Sequence, residues 1–289
     1  MKGKIKTALV SVSDKEGLEK IAEYFLKNDI LVFSSGGTYT HLKKINPQLK
    51  LIEVSSYTKF SEILNGRVKT LHPLIHAGIL ADKYNPDHIS QLESLNIRTI
   101  DLVIVNLYPF EKTLNKDNST ESDCIENIDI GGPSLIRGAA KNFKSVVVLS
   151  SPNQYDDFIS EINNNNNIIK IEFRKKLAIK AFQNTSYYDS IISNWLSRGD
   201  FITEGEISAL PLRKLRKLRY GENPHQKAAL FSFGKNDLEK ISGKDLSYNN
   251  INDLEVAMEL AGQFKKNSCV IVKHGNPCGV SLDNAQHKA

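Results

Sequence analysis

Five short stretches combine residue types able to hold an anion and move protons. In Ser11-Val-Ser-Asp-Lys15, hydroxyls at Ser11 and Ser13 stand beside the Lys15 ammonium. Between a strand and a helix, such a stretch offers backbone N–H groups and a cation to a phosphate. Taken alone it equally describes a helix N-cap with a solvated lysine, the commoner case. In Ser34-Ser-Gly-Gly-Thr38, Gly36 and Gly37 let the backbone close on a ligand beside the Ser35 and Thr38 hydroxyls; the plain alternative is a tight turn with a Thr cap. The stretch Asn65 to Pro73 carries Arg67, Lys69 and Thr70. If it is extended, Arg67 and Lys69 share a side and suit a phosphate monoester, forked by the guanidinium and balanced by the ammonium. A solvated basic loop is the alternative, and His72 and His76 read as structural. Asn106-Leu-Tyr-Pro-Phe110 offers the Tyr108 phenol to a developing oxyanion, although without neighbours Tyr108 reads as a rim aromatic. In the stretch Asp129 to Lys141, Asp129 could deprotonate a nitrogen nucleophile and Lys141 stabilise negative charge, with Arg137 on the face of Lys141. The alternative is a carboxylate and a cation complementing the two ends of a helix dipole.

These stretches need elements to hold them. Lys6–Ser11, Asp101–Asn106 and Ser145–Leu149 read as buried strands, and Ile30–Phe33 and Leu51–Val54 as further strands. Lys15–Lys27 has apolar residues at helical spacing, and Ser13 with Glu16 predicts a capping box at its start. Further helices are predicted from about Tyr39 to Ile45 and over Pro133–Asn142, the latter with Pro in its first turn. Strand, helix and strand again at this spacing imply an α/β fold with a parallel sheet covered on both faces. Loops at its carboxyl edge are where open sheets of this kind bind ligands. From about Asn153 to Trp195 the pattern is helical, interrupted by five Asn at 163–167 that read as an exposed connection. A domain boundary is placed near residue 198. Beyond it a helix is predicted from about Asp253 to Phe264 and a buried strand over Cys269–Lys273.

The 289 residues are 40% hydrophobic and 25% charged, with a formal charge of +5. That composition excludes global disorder, and no apolar run reaches membrane-spanning length. The mild positive charge suits anionic small molecules as well as nucleic acid. Cys124, Cys269 and Cys278 have no CxxC spacing, which argues against a disulfide framework or zinc ribbon and for a reducing cytoplasm. Cys278 follows Pro277 as in zinc deaminases, but the second Cys and the His-x-Glu such a site needs are absent, so it reads as structural. The basic run Leu212 to Arg219 reads as a solvated face in preference to a nucleic-acid contact.

In this order and spacing, the stretches at 11–15, 34–38, 66–73, 106–110 and 128–142 resemble the bifunctional purine biosynthesis family, which couples AICAR transformylase to IMP cyclohydrolase. Leu218 to Gln226 and Lys273 to Gly279 resemble the opening motifs of its transformylase domain. The resemblance implies a methylglyoxal-synthase-like doubly wound parallel sheet for residues 1–198. It implies the start of a cytidine-deaminase-like α/β transformylase domain for 199–289. It implies closure of formyl-AICAR to IMP with loss of water, with no metal and no cofactor. Ser11, Ser13, Lys15, Ser35, Gly36, Gly37, Thr38, Arg67, Thr70 and Asn106 would hold the ribotide, while Lys69, Tyr108, Asp129 and Lys141 flank the reacting groups. In the second domain Arg219 and Tyr220 would bind ribotide, and Lys273 and His274 would serve formyl transfer to AICAR from 10-formyltetrahydrofolate as cosubstrate. The family's transformylase domain is longer than the segment after residue 198 here. The chain is therefore expected to be truncated in that domain and inactive in formyl transfer. Ribotides are the implied partners, without nucleic acid or membrane, in a cytoplasmic protein whose full-length form is a homodimer. Two readings compete: a methylglyoxal-synthase-like lyase on a triose phosphate, which shares the phosphate loops, and a regulatory domain that binds phosphate without catalysis.

Overall fold

The structure is a computed structural model; it describes residues 4–197, 207–233 and 239–283. The chain divides into two compact units, Met1–Ala209 and Leu210–Ala289. The boundary expected near residue 198 lies outside the described residues.

The first unit runs β1 (Thr7–Val12), α1 (Leu18–Lys27), β2 (Leu31–Ser34), α2 (Gly36–Ile45), β3 (Lys50–Glu53), α3 (Val54–Thr58), α4 (Pro73–Leu80) and α5 (Pro86–Ser94). It continues with β4 (Leu102–Asn106), α6 (Phe110–Leu114), α7 (Glu121–Glu126), α8 (Gly131–Lys141), β5 (Val147–Leu149), α9 (Tyr155–Asn164) and α10 (Ile171–Leu196). The five strands form one parallel sheet in the order β3-β2-β1-β4-β5. Ala8, Leu9 and Val10 in β1 and Leu102 to Val105 in β4 are buried in succession, so both faces of the sheet are covered, as the apolar runs predict. The chain builds β1, β2 and β3 to one side and then returns to place β4 on the other. The reversal opens a crevice at the carboxyl ends of β1 and β4.

Helix α1 buries Leu18, Ile21, Ala22, Tyr24 and Phe25 along one stripe; each large apolar side chain contributes about 1.5–3 kcal/mol on burial. The predicted capping box does not form. Helix α1 starts at Leu18, after Gly17 in the left-handed region at φ 72°, with no side-chain cap. The backbone of Ser13 and Asp14 is held by Asn106 instead. Helix α8 packs on β4 and β5, and α10 lies along α8 and β5. A second, smaller core joins Phe110 of α6, Cys124 of α7, and Tyr188 and Ile191 of α10, with Trp195 edge-on to Phe110 at 5.4 Å. The Asn run ends α9 and turns the chain toward α10, with Asn166 and Asn167 at φ 53° and 65°; Asn163, Asn164 and Asn166 are exposed, and Asn165 and Asn167 half-buried.

At the opposite, amino edge of the sheet, Lys83 reaches the Asp101 carboxylate and the carbonyls of Ile100 and Ser145 (3.0 and 3.1 Å). Asp101 also accepts the N–H groups of Lys6 and Thr7 at 2.7 and 2.9 Å. Burial lowers the Lys83 ammonium from its ordinary range even with Asp101 beside it.

The second unit contains β6 (Leu212–Lys217) paired antiparallel with β7 (Ala229–Phe233), then α11 (Tyr248–Gly262), then β8 (Asn267–Lys273) paired antiparallel with β9 (Asn276–Asp283). The basic run is strand β6, largely exposed. Its leucines recur every third residue, which a period-two strand cannot keep on one face; the register shifts between Lys214 and Arg216, so Leu215 occupies a bulge. The strand predicted as buried, Cys269–Lys273, alternates exposed and half-buried positions instead, because α11 packs on this hairpin from one face. Among the described residues no helix is long and apolar enough to cross a membrane.

Candidate active site

The strand ends converge on a cavity of about 660 Å³. Its walls take Ser11 from the end of β1, Ser13 and Lys15 from the loop after it, and Ser35, Gly37 and Thr38 from the start of α2. Arg67, Lys69 and Thr70 enter from the segment before α4, Asn106 and Tyr108 from the end of β4, and Asp129 from the turn into α8.

Several of these side chains also hold the site together. The Thr38 hydroxyl accepts the Val12 N–H at 3.1 Å and donates to the Val12 carbonyl at 3.0 Å, tying α2 to the end of β1. The Asn106 carboxamide accepts from the N–H groups of Ser13 (2.7 Å) and Asp14 (2.9 Å) and donates to the Asp14 carbonyl (2.7 Å). Both residues line the cavity, and with their polar atoms so engaged they also fix the loop after β1. Ser35 stands at the N-cap position of α2 without a side-chain cap bond, its hydroxyl buried with no protein partner. Buried hydroxyls are normally satisfied, so a polar group beside the N-terminus of α2 fits here. Lys15 lies over Gly37, where an added Cβ would sit 4.0 Å from its Nζ. Gly36, at φ 52°, serves the turn and is not part of the cavity wall.

The segment carrying Arg67 is not extended. A 3-10 turn at Leu64–Gly66 places Leu64, Asn65 and Gly66 at φ 55°, 53° and 91°, and Ile63 bridges Val68. Arg67 and Lys69 therefore diverge. Arg67 pairs with Glu126 of α7 at the exposed rim, and this carboxylate raises the guanidinium pKa further. Lys69 turns inward, its Nζ 3.4 Å from the Tyr108 hydroxyl, which gives Tyr108 the neighbour that sequence reading lacked. His72 accepts the Leu74 N–H at 3.2 Å and caps α4, the structural role expected of it. His76 is half-buried, and burial lowers its pKa.

Asp129 sits in the turn before α8. Its Oδ1 accepts the Gly132 N–H at 2.7 Å. Burial raises its pKa above the ordinary carboxylate range, against the backbone N–H groups of Gly132 and Tyr108 and the Lys69 charge, which pull it down. An added Cβ on Gly132 would strike the Asp129 carboxylate and lie 2.9 Å from Leu107 Cδ2; one on Gly131 would lie 2.9 Å from Thr70 Oγ1. The glycine pair thus lets the carboxylate and Thr70 approach the first turn of α8.

Lys141 is not brought to this cavity. It ends the eleven-residue helix whose first turn holds Asp129, and it is exposed. At 1.5 Å per residue the helix sets the two about 15 Å apart along its axis. Lys141, expected beside Asp129, is thus not among the residues that line this cavity.

Sequence reading missed Glu126, on a helix whose start is marked by a capping box of Thr120 and Asp123, and Glu62 and Asn65 on the rim. It also missed Tyr188 of α10, which holds the Asp129 loop from behind. A tyrosine in a helical apolar stripe carries no signal that its hydroxyl serves a site.

In the second unit the Arg219 guanidinium lies 4.8 Å from the centre of the Tyr220 ring and donates to the Tyr220 hydroxyl at 3.1 Å, a bond that lowers the phenol pKa. Lys273 and His274 are exposed at the turn of the β8–β9 hairpin. His274 and Gly275 take φ 56° and 73° there, as a two-residue hairpin turn demands, and the Gly275 N–H is held by Asp253 at 2.7 Å. Among the described residues no group of three or more His, Cys, Asp or Glu could hold a metal ion.

Comparison with known proteins finds two family models along the chain, which meet inside the first unit. The MGS-like domain matches residues 17–134. The chain is 49% identical over 280 residues to the bifunctional purine biosynthesis protein PurH of Leptospira biflexa, covering 96% of this chain and 54% of that protein. It is 48% identical over 282 residues to the protein of the same name from Thermoanaerobacter sp., covering 96% and 55%. It spans about half the length of the curated relatives it matches. The solved structure of ForH is similar, with a TM-score of 0.59 and 30% identity over 68% of this chain and 98% of that one. The AICARFT/IMPCHase bienzyme family matches residues 139–289, more than half of the sequence, and this chain belongs to that family.

Proposed function

We propose that the first unit is an IMP cyclohydrolase, closing the ring of formyl-AICAR to give IMP and water in purine biosynthesis. The observation that carries this reading is the meeting, in one cavity, of two anion-binding loops with an inward-facing cation, a phenol and a carboxylate of raised pKa. The family membership and the PurH relatives support it. The Ser11–Lys15 and Ser35–Thr38 loops take the ribotide phosphate, with the Ser35 hydroxyl and the N-terminus of α2 among the donors. Arg67 joins them by exchanging Glu126 for the ligand.

The carboxamide nitrogen and the formyl carbon already belong to one molecule, so the site's task is to hold them in the reactive geometry. Attack forms the N–C bond and moves the formyl π electrons onto oxygen. Asp129 takes the proton leaving the carboxamide nitrogen, and Lys69 with Tyr108 stabilises the oxyanion. That oxygen then departs as water. Its two hydrogens correspond to one lost by the carboxamide nitrogen and one by the formamide nitrogen. This chain's own side chains supply each of these roles without a cofactor. Incubation with formyl-AICAR is expected to convert its ultraviolet spectrum to that of IMP; saturable binding without conversion would instead mark a ribotide-binding module.

The reading extends to the relatives' full length. There the second unit would begin the transformylase, with Arg219 and Tyr220 toward AICAR, Lys273 and His274 toward its amine, and 10-formyltetrahydrofolate as formyl donor. Two copies of the full-length protein would pair, which light scattering tests. The three free cysteines suit a reducing cytoplasm. Neither a polynucleotide nor a membrane enters the reading.

A further inference from the structure

Tyr188 lies on α10, behind the turn that joins α7 to α8. Its ring packs in the small core with Phe110, 6.2 Å away in an edge arrangement. A phenylalanine would fill that space equally. Its hydroxyl does something a phenylalanine cannot: it accepts the Asp129 N–H at 2.8 Å and donates to the Asn127 carbonyl at 2.9 Å. The two bonds brace the backbone on either side of Ile128. On the other side of Asp129, the carboxylate is held by the Gly132 N–H at 2.7 Å. Asp129 is thus gripped at its backbone by α10 and at its carboxylate by α8. With the Tyr188 oxygen gone, a backbone donor and acceptor in a half-buried turn would lose their partners, and the turn would relax toward water.

We propose that Tyr188 is a positioning residue of the cyclohydrolase site, its hydroxyl fixing the 127–129 turn that aims the Asp129 carboxylate at the reacting atoms. The inference rests on the role of Asp129 as the proton acceptor. It requires no contact between Tyr188 and the ribotide, since the residue acts through Asp129 alone. A misplacement of about 1 Å can cost two orders of magnitude in rate, while ribotide binding, which depends on the loops after β1 and β2, should hardly change.

The test uses the whole chain, with turnover of formyl-AICAR followed by absorbance for Tyr188→Phe, Tyr187→Phe, Asp129→Asn and the Asp129→Asn/Tyr188→Phe double variant. Tyr187 is the control: its hydroxyl, on the same helix, donates to Glu111 at 3.0 Å. Tyr188→Phe should lower kcat about tenfold with KM within about twofold of the parent, and Tyr187→Phe should leave both unchanged. The double variant should turn over no more slowly than Asp129→Asn, because a residue acting through Asp129 has nothing further to lose. Amide hydrogen exchange should show faster exchange at Asp129 with protection along α10 retained. Full kcat in Tyr188→Phe overturns the proposal. So does an additive loss in the double variant, or loss of protection along all of α10, each of which marks a packing role. Wild-type turnover in Asp129→Asn removes both the role of Asp129 and this inference; whether the parent chain converts formyl-AICAR at all decides the cyclohydrolase reading separately.

Discussion

Asp129 shows what burial does to a single side chain. Its folded pKa is raised, so in the native state the ionised form is disfavoured relative to the unfolded chain. That cost is present at pH values above the folded pKa and disappears as pH falls through it. Asp129→Asn keeps an acceptor for the Gly132 N–H and removes the charge. The variant is therefore expected to melt at a higher temperature than the parent at pH 7, with the difference closing toward pH 3, while cyclisation falls by about 10²- to 10⁴-fold. Thermal melts across pH together with the absorbance assay check both halves; a variant less stable than the parent at pH 7 would contradict the sign. Lys69 is the second residue at this scale. Lys69→Met keeps the stem and removes the charge beside Tyr108, and is expected to lower kcat by about 10²-fold with little change in fold.

Among the elements, the first turn of α8 is set by what cannot be there. Gly132→Ala would push a methyl into the Asp129 carboxylate and Leu107. The expected loss is about 1–3 kcal/mol of stability, together with most of the activity, read from denaturant melts and turnover. Helix α7 contributes Glu126, whose pairing with Arg67 occupies the guanidinium that a phosphate would use. Glu126→Gln is expected to leave the melting temperature unchanged, since both partners are exposed, and to strengthen competitive inhibition by inorganic phosphate roughly threefold to tenfold. Unchanged or weaker inhibition would show that Glu126 holds Arg67 ready for the ligand and does not compete with it. Elements differ in how much of this is visible beforehand. Helix α8 is legible from Gly-Gly-Pro before an apolar stripe. Helix α7 is short and polar, and its Thr120–Asp123 capping box is the one sequence sign of it. The Ser13–Glu16 pair has the same pattern and makes no cap, because Asn106 from β4 claims the Ser13 and Asp14 backbone first.

Across the whole first unit, the parallel sheet separates stability from chemistry. The candidate site lies at the carboxyl ends of β1 and β4, and the Lys83–Asp101 pair lies at the amino edge, where Asp101 also takes the Lys6 and Thr7 N–H groups. Both side chains of the pair are mostly shielded, at 20% and 17% exposure. Lys83→Ala removes the cation from a carboxylate that keeps the Lys6 and Thr7 N–H groups and is expected to cost about 3 kcal/mol, measured by denaturant unfolding, while kcat for cyclisation stays at the parent value. A comparable fall in kcat under conditions where the variant is fully folded would mean that the two edges are coupled.

The strands, the α/β class and the stretches that line the cavity were legible in the sequence because each is a local property: an apolar run, a glycine pair, a basic triplet between elements. What those stretches do to one another was settled by tertiary structure. Arg67 and Lys69, two residues apart, point to different partners because a left-handed turn precedes them. Lys141, on the helix that starts beside Asp129, is carried away from it by that helix's length. Tyr188, 59 residues from Asp129 in sequence, is brought within 2.8 Å of its backbone. Spacing along a chain fixes distance only within an element; between elements, distance depends on packing, which no local pattern encodes.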